Sequence, residues 1–443
     1  MDVGSRDEAM TAPLVQIAKQ GPAARDWSWV EGSVWTDRML SALGNGVKGG
    51  VWYSLMDKVY APATLAAAWA KVQVNGGAAG VDRQSIERFA ANAEVYLTEL
   101  SRELRTGEYR PSAIRRVEIP KGDGGVRPLG IPTVKDRIAQ TAVKFVLEPI
   151  LEAHFHPGSF GFRPGRGAKD ALREVDRLVE SGHCFVVDAD LKSYFDTIPH
   201  DKLMERLRTR VSDGRLLELI QRWLKQDIVS ECARWTPTGG TPQGAVVSPL
   251  LANLYLHPLD VLLAEHGLSM VRYADDFVVL CDSAEQAREA LALIRGFTDA
   301  NGLTLHPDKT HVGDCRIIGQ GFEFLGYRFE AGRRLVRKKS MLRLREKIRA
   351  KTRRTSGQSL ACVIASLNPM LKGWYNYFKH ATSGLKDVDA FTRRRLRAML
   401  RKQEKRPGCG NCKEDRIRWP NKFFATAGLF TLDTAWRQAR QSR

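Results

Sequence analysis

The stretch Val271-Arg272-Tyr273-Ala274-Asp275-Asp276-Phe277-Val278-Val279-Leu280 constrains the fold more than any other part of this chain. β-Branched and aromatic residues on both sides of a short acidic centre predict two strands joined by a tight turn. The apolar flanks belong in a core, and the turn sets two adjacent carboxylates beside it. Two like charges in that position are costly unless something positive neutralises them. Hard divalent cations do so through oxygen ligands, and magnesium usually takes one or two protein carboxylates. Taken alone, the four central residues are better read as an ordinary hairpin with a solvated turn, because short motifs match often by chance. The rest of the sequence decides between these readings.

At 443 residues the chain has room for two or three domains and a sizeable core. Its seven cysteines are irregularly spaced and odd in number, which points to a reducing compartment rather than a disulfide framework. The N-terminus has no basic-then-apolar signal pattern. No apolar run reaches the roughly 18 residues needed to span a bilayer. These features predict a cytoplasmic protein with no membrane partner.

The net charge of +19 is one-sided. From Ala331 onward there are 30 Lys and Arg against 7 Asp and Glu, whereas the preceding residues hold 39 against 43. A basic block of this kind is the footprint of a polyanion, most often nucleic acid. Within it, residues 333–354 carry twelve basic side chains and one acid, Glu346. Among them Arg337, Lys338, Lys339, Arg343 and Lys347 are candidate RNA contacts.

Residues 1–50 read as a partly ordered extension with scattered tryptophans and Gly-rich punctuation. Helical patterns follow across 51–82 and 86–106. Arg115 to Ile131 reads as a β-hairpin with its turn at Lys121-Gly122-Asp123-Gly124-Gly125. Lys121 and Arg127 flank that turn and could clamp a triphosphate, although by themselves they are better read as solvated loop charges. Phe160-Gly161-Phe162-Arg163-Pro164-Gly165-Arg166 is a Gly/Arg-rich loop. Phe185 to Leu191 is an apolar strand with Asp188 and Asp190 on one face, because strand side chains alternate. Asp190 stands at the strand end, where a third carboxylate could complete a metal site with Asp275. Asp196 is expected to shape the following turn. Thr241-Pro242-Gln243-Gly244 ends a Gly/Pro loop that feeds a long apolar helix, Ala245 to His266. Leu367, Met370, Leu371, Trp374, Tyr375 and Phe378 form an aromatic stripe at helical spacing, normally a packed face; Tyr377 leaves nucleic-acid stacking open. Cys409 and Cys412 have zinc-ligand spacing but no second pair.

These motifs, in this order, resemble the reverse transcriptases encoded by bacterial group II introns. Tyr273-Ala274-Asp275-Asp276 matches the polymerase signature, and Asp190-Leu191-Lys192-Ser193-Tyr194-Phe195-Asp196 is similar to the other carboxylate motif. Arg127 to Thr133 and Gly161 to Arg166 resemble the fingers motifs. Thr241 to Gly244 with Ser248 to Leu251 resembles the palm loop and helix, Phe324 to Tyr327 the end of the palm, and Leu371 to Tyr377 the maturase-type thumb. The resemblance implies an α+β right-hand polymerase: fingers and palm with an antiparallel sheet over 51–330, a helical thumb or maturase domain over 331–405, and a basic DNA-binding-like tail over 406–443. It implies that Asp190, Asp275 and Asp276 hold two Mg²⁺ ions, and that Lys121, Arg127, Phe195 and Gln243 bind the deoxynucleoside triphosphate. Tyr273 and Arg163 would meet primer or template. The implied partners are intron RNA, an RNA template with a DNA primer, and target DNA, and a homodimer is compatible with them. Many relatives carry a His-Asn-His nuclease with cysteine pairs, and the short stretch after Leu429 with its single Cys pair leads to the expectation of a form lacking that domain. Two rival readings are a reverse transcriptase serving defence or diversity generation and a splicing cofactor that binds RNA without synthesis.

Overall fold

A computed structural model describes residues 27–45, 47, 50–120, 125–408, 410 and 412–441. Lys121, Cys409 and most of the N-terminal extension therefore lie outside the described residues. The strands, in chain order, are β1 Ile114–Pro120, β2 Val126–Ile131, β3 Phe185–Asp190, β4 Ile228–Val229, β5 Arg234–Trp235, β6 Ser269–Tyr273, β7 Asp276–Cys281, β8 His311–Asp314, β9 Phe322–Phe324, β10 Tyr327–Glu330 and β11 Arg333–Val336. They form three sheets of order β2-β1-β4-β5, β6-β7-β3-β8 and β11-β10-β9.

The middle sheet is the palm, and every neighbouring pair in it is antiparallel. Its central strands β3 and β7 are apolar along most of their length because both faces are covered. Val187 and Ala189 of β3, with Phe277, Val279 and Cys281 of β7, enter a large core shared with the helices Ser248–Glu265 and Ala284–Ala300. Val186, Val271, Val278 and Leu280 face a second core with the helix Ala168–Glu180 and the aromatic strands β9 and β10. The period-2 alternation thus divides residues between two interiors, rather than between core and water. The even-numbered face also carries Asp188, Asp190 and Asp276.

The fingers sheet β2-β1-β4-β5 stands beside a helical layer in which Pro62–Asn75 packs against Val134–Glu152. The latter starts on a Thr133 cap, whose Oγ1 accepts from the Asp136 amide. Part of the extension joins this layer. Trp35 is buried, its Nε1 donates to the Phe145 carbonyl at 2.9 Å, and its ring meets Trp52 edge-on.

The thumb helices Lys338–Lys351, Leu360–Phe378 and Leu385–Gln403 enclose a third core. Trp419, Phe424, Leu429 and Leu432 enter that same core. Asp389 caps the last helix by accepting from the Leu432 and Asp433 amides. Residues from 413 on are thus packed with the thumb helices. Tyr377, which left nucleic-acid stacking open, is half-buried. Its hydroxyl donates to the Leu325 carbonyl at 2.8 Å and its ring lies against Tyr327, pinning thumb to palm. Among the described residues no helix is long and apolar enough to cross a membrane.

Candidate active site

Antiparallel pairing of β3 with β7 sets Asp190 directly opposite Asp276. Asp275 occupies the two-residue turn between β6 and β7. Ala274, the other turn residue, has φ +63°, a left-handed conformation that costs a non-glycine residue roughly 1–2 kcal/mol. Something must hold it, and a buried polar network does. Arg272 is fully buried in β6 and pairs in bidentate fashion with Asp260, at 2.7 Å (Nε to Oδ1) and 2.5 Å (Nη2 to Oδ2). Its Nη1 donates both to the Ala274 carbonyl and to Asn253 Oδ1, each at 2.9 Å. Asn253 in turn donates to the Gly161 carbonyl at 2.7 Å. A Cβ at Gly161 would stand 2.2 Å from the Ala274 nitrogen, so only glycine allows this approach. The acidic turn is therefore clamped between the Gly/Arg loop and the helix Ser248–Glu265.

The carboxylates are crowded and largely sheltered. Burial, reinforced by repulsion from Asp188, Asp190 and Asp275, pushes the Asp276 carboxyl up to about 7. Burial and the charges of Asp190 and Glu323 likewise raise Asp188 to about 7. Asp275 is raised by burial and by Asp190, while Arg127 and Arg272 oppose the shift. A site that penalises its own negative charge in this way suits a hard cation with oxygen ligands. Among the described residues no three carboxylate, His or Cys side chains converge as a complete ligand set. Lys309 already occupies part of the site, its ammonium pairing with Asp190 Oδ2 at 2.5 Å. The fit is that of an ion held by one or two carboxylates and completed by substrate oxygens and water, the ordinary habit of magnesium at phosphate sites. Sequence reading missed Lys309. The Leu191–Leu305 bridge and the His306 amide bond to the Asp190 carbonyl bring its loop to the end of β3.

Of the expected nucleotide residues, Arg127, Phe195 and Gln243 lie within the described residues. Arg127 Nε donates to Gln243 Oε1 at 3.0 Å, and Gln243 Nε2 donates to Asp196 Oδ2 at 3.3 Å. Asp196 does more than shape its turn, because it ends a polar chain running from the fingers hairpin to the palm. Gly244 makes the junction possible. At φ +108°, its missing Cβ would lie 2.3 Å from the Gly130 carbonyl of β2. Phe195 is nearly buried, with its ring edge-on to Phe162. Tyr273 lies half-buried at the end of β6, across from Asp276.

Arg163 corrects the sequence expectation of a primer or template contact. It is buried, pairs with Glu152 at 2.6 Å and donates to the His156 and Ser159 carbonyls at 2.6 Å. Its guanidinium is consumed in holding its own loop, leaving it unavailable to nucleic acid.

The five basic candidates of the thumb are not equivalent. Lys338, Arg343 and Lys347 are exposed along the helix Lys338–Lys351. Lys339 is half-buried. Arg337 turns toward the palm, with Nε 3.6 Å from Glu323 Oε2, and its charge acts on Asp276. A cleft of about 820 Å³ in the thumb adds residues the sequence did not single out. Arg345, Arg349, Arg393, Arg394, Arg397 and Arg416 line it with one acid, Asp387. Arg345, Arg349 and Arg394 fan over the Phe391 ring at 5.4–5.7 Å.

A strand-borne carboxylate pair and a twin-Asp hairpin, framed by fingers and a basic helical thumb, define a nucleotidyl-transferring polymerase. Residues 119–329 match the family model for reverse transcriptase (RNA-dependent DNA polymerase). Residues 341–418 match the maturase-specific domain of group II introns. Protein YkfC of Escherichia coli (strain K12) is 36% identical across 59% of this chain and 76% of its own length. The group II intron-encoded protein LtrA of Lactococcus lactis subsp. cremoris is 38% identical across 38% of this chain, though only 28% of LtrA is spanned. Among solved structures, a partial Cas6-RT-Cas1–Cas2 complex is 27% identical with a TM-score of 0.36, over 56% of this chain and 42% of that one. The chain belongs to the reverse transcriptase family, in the branch that joins an RNA-directed DNA polymerase to a group II intron maturase domain.

Proposed function

We propose that this chain copies RNA into DNA by adding deoxynucleotides to a primer 3′-hydroxyl, and that it binds a group II intron RNA to assist its splicing and mobility. The observation that carries the polymerase reading is the register that sets Asp190 opposite Asp276, with Asp275 in the adjoining turn. These three carboxylates would hold two Mg²⁺ ions, which when bound stabilise the attacking and leaving oxygens of an in-line displacement. Arg127, poised between Asp275 and Gln243, meets the triphosphate of the incoming nucleotide, and Lys121 of the same hairpin is assigned to it with Arg127. Phe195 lies under the sugar and disfavours a 2′-hydroxyl. Gln243 packs beside the nucleotide, and Tyr273 supports the primer end. The Arg272–Asp260–Asn253 network keeps the Asp275 turn in its strained conformation, so the carboxylates need little rearrangement on binding. The exposed cations of the thumb attract RNA phosphates without reading sequence.

Primer extension on an RNA template with deoxynucleotides and Mg²⁺, beside the Asp275→Asn protein, tests this reading. Extension by the wild type that disappears in the variant supports polymerase and metal ligand together. A wild type that binds structured RNA tightly yet extends nothing would replace polymerisation with RNA binding alone.

A further inference from the structure

The Gly/Pro loop that carries Gln243 has little framework of its own. Pro237 and Pro242 lack an N–H, and Gly239, Gly240 and Gly244 allow the backbone many conformations. The loop is strung instead between two supports. On the fingers side, the Gly130 amide of β2 donates to the Gln243 carbonyl at 2.6 Å. On the palm side, the loop lies on residues 195–200, just beyond β3. There the Thr241 amide donates to the Phe195 carbonyl at 2.6 Å, and the Gly240 amide to the Ile198 carbonyl at 2.8 Å. Gly240 has φ +87°, and a Cβ on it would stand 2.8 Å from the Asp196 and Phe195 carbonyl oxygens. One side chain completes this second support. His200 is buried at the start of the helix His200–Arg208, with its Nε2 2.7 Å from the buried Gly240 carbonyl. A carbonyl oxygen only accepts, so Nε2 carries the hydrogen and donates it.

We infer that His200 is a positioning residue for the nucleotide site, setting the spacing between Phe195 and Gln243 and thereby the discrimination between deoxyribose and ribose. The inference rests on the assignment of those two residues to the incoming nucleotide. The direct link between the two walls is weak, because Gln243 Nε2 reaches Asp196 Oδ2 only at 3.3 Å. Without the imidazole donor the Gly240 carbonyl would be left buried and unpaired, which drives it toward water. The Gly130 support would remain, so Gln243 would follow the fingers hairpin and draw away from Phe195. Asp190 and the Asp275–Asp276 turn are held by separate bonds. Loss of His200 therefore slackens the choice of nucleotide while the carboxylates keep their places.

The test measures single-nucleotide incorporation on an RNA template by the full chain, with a deoxynucleotide and with the matching ribonucleotide. His200→Leu is expected to raise KM for the deoxynucleotide by about tenfold, the scale of one buried hydrogen bond left unmade, with kcat little changed. Preference for the deoxynucleotide over the ribonucleotide should narrow by a similar factor. His200→Gln, whose Nε2 is the same number of bonds from the backbone, should restore most of both. Hydrogen exchange gives a readout independent of synthesis. The segment around the Gly240 and Thr241 amides should exchange faster in His200→Leu and return toward wild type in His200→Gln. A His200→Leu protein with wild-type KM and sugar preference overturns the inference. So does a loss that falls on kcat for both sugars alike, or faster exchange spread over the whole palm, the marks of general destabilisation. A wild type that extends no primer overturns the polymerase reading instead. Exchange of those two amides, unchanged or faster, then decides whether His200 holds the loop.

Discussion

The palm and the thumb use charge in opposite ways. In the palm, charged groups are sheltered, either locked in a pair or crowded against one another. Arg272 and Asp260 are both wholly enclosed, and the carboxylates of Asp188 and Asp276 are pushed up toward neutrality by their surroundings. In the thumb, cations line an open cleft, cover exposed helix surface and outnumber their acidic partners. Buried pairs fix geometry, because removing one partner strands the other in a medium that cannot solvate it. Exposed cations fix little geometry. They contribute long-range attraction that salt screens. The palm is built to hold a few atoms still, and the thumb to hold a long polyanion loosely.

The largest effect that tests this contrast is at the turn itself. Asp275→Asn is expected to lower the single-nucleotide incorporation rate by about a thousandfold, the scale of losing roughly 4 kcal/mol of transition-state stabilisation. Unfolding by urea should be little affected, or slightly harder, since a buried charge has been removed. Arg272→Met should do the reverse in kind. It strands Asp260 and should cost about 3–5 kcal/mol in the same urea experiment. The double variant Arg272→Met with Asp260→Leu should recover much of the stability without recovering incorporation, because the Ala274 carbonyl still lacks its donor. A single variant as stable as the wild type would mean that the pair is not a structural clamp.

A third expectation concerns His257, which burial holds down to about 4 next to the Arg272–Asp260 pair. Its folded-state value lies below the unfolded value of 6.5, so the unfolded chain takes up the proton first. Its contribution is complete above pH 6.5 and is lost as pH falls toward 4, by up to roughly 3 kcal/mol. Unfolding free energy measured across that window should fall less steeply in His257→Asn than in wild type. The smallest structural effect belongs to the thumb. Lys347→Ala should alter stability by less than about 0.5 kcal/mol. It should reduce the slope of log RNA affinity against log salt by about one contact's worth, roughly 0.7–0.9. A salt-independent RNA affinity in the wild type would remove the thumb's side of the comparison.

Much of this was legible in the sequence, and the parts that were not share a cause. The palm strands announced themselves through apolar runs with acids at their ends, and the register of β3 on β7 then brought Asp190 and Asp276 face to face. The basic thumb was visible as composition. What local pattern could not supply was pairing between distant segments. An arginine inside the run Val271-Arg272-Tyr273 is a signal of a buried partner, but nothing in the sequence points to Asp260, twelve residues earlier and on a helix. Lys309 reads as a loop cation until the His306 amide ties its loop to β3. Arg163 misled for the complementary reason: a basic residue in a Gly-rich loop looks available, and only the fold reveals Glu152 beneath it. The tail around Trp419 and Phe424 reads as a mixture of cations and aromatics that suits either a docked segment or DNA contact, and only the fold shows Trp419 and Phe424 entering the thumb core.

The contact between Gly161 and Ala274 carries a consequence for how this molecule tolerates change. Two backbones touch there with no side chain between them, so the position of the acidic turn is referenced to main chain rather than to any replaceable group. Neighbouring side chains can vary in size and the loop can follow, provided that one atom-free gap persists. Even alanine at 161 would wedge the loop away from the turn and carry the Asn253 tether with it. The fragility of the centre is thus concentrated at a residue that performs no chemistry, some distance along the chain from every carboxylate it protects.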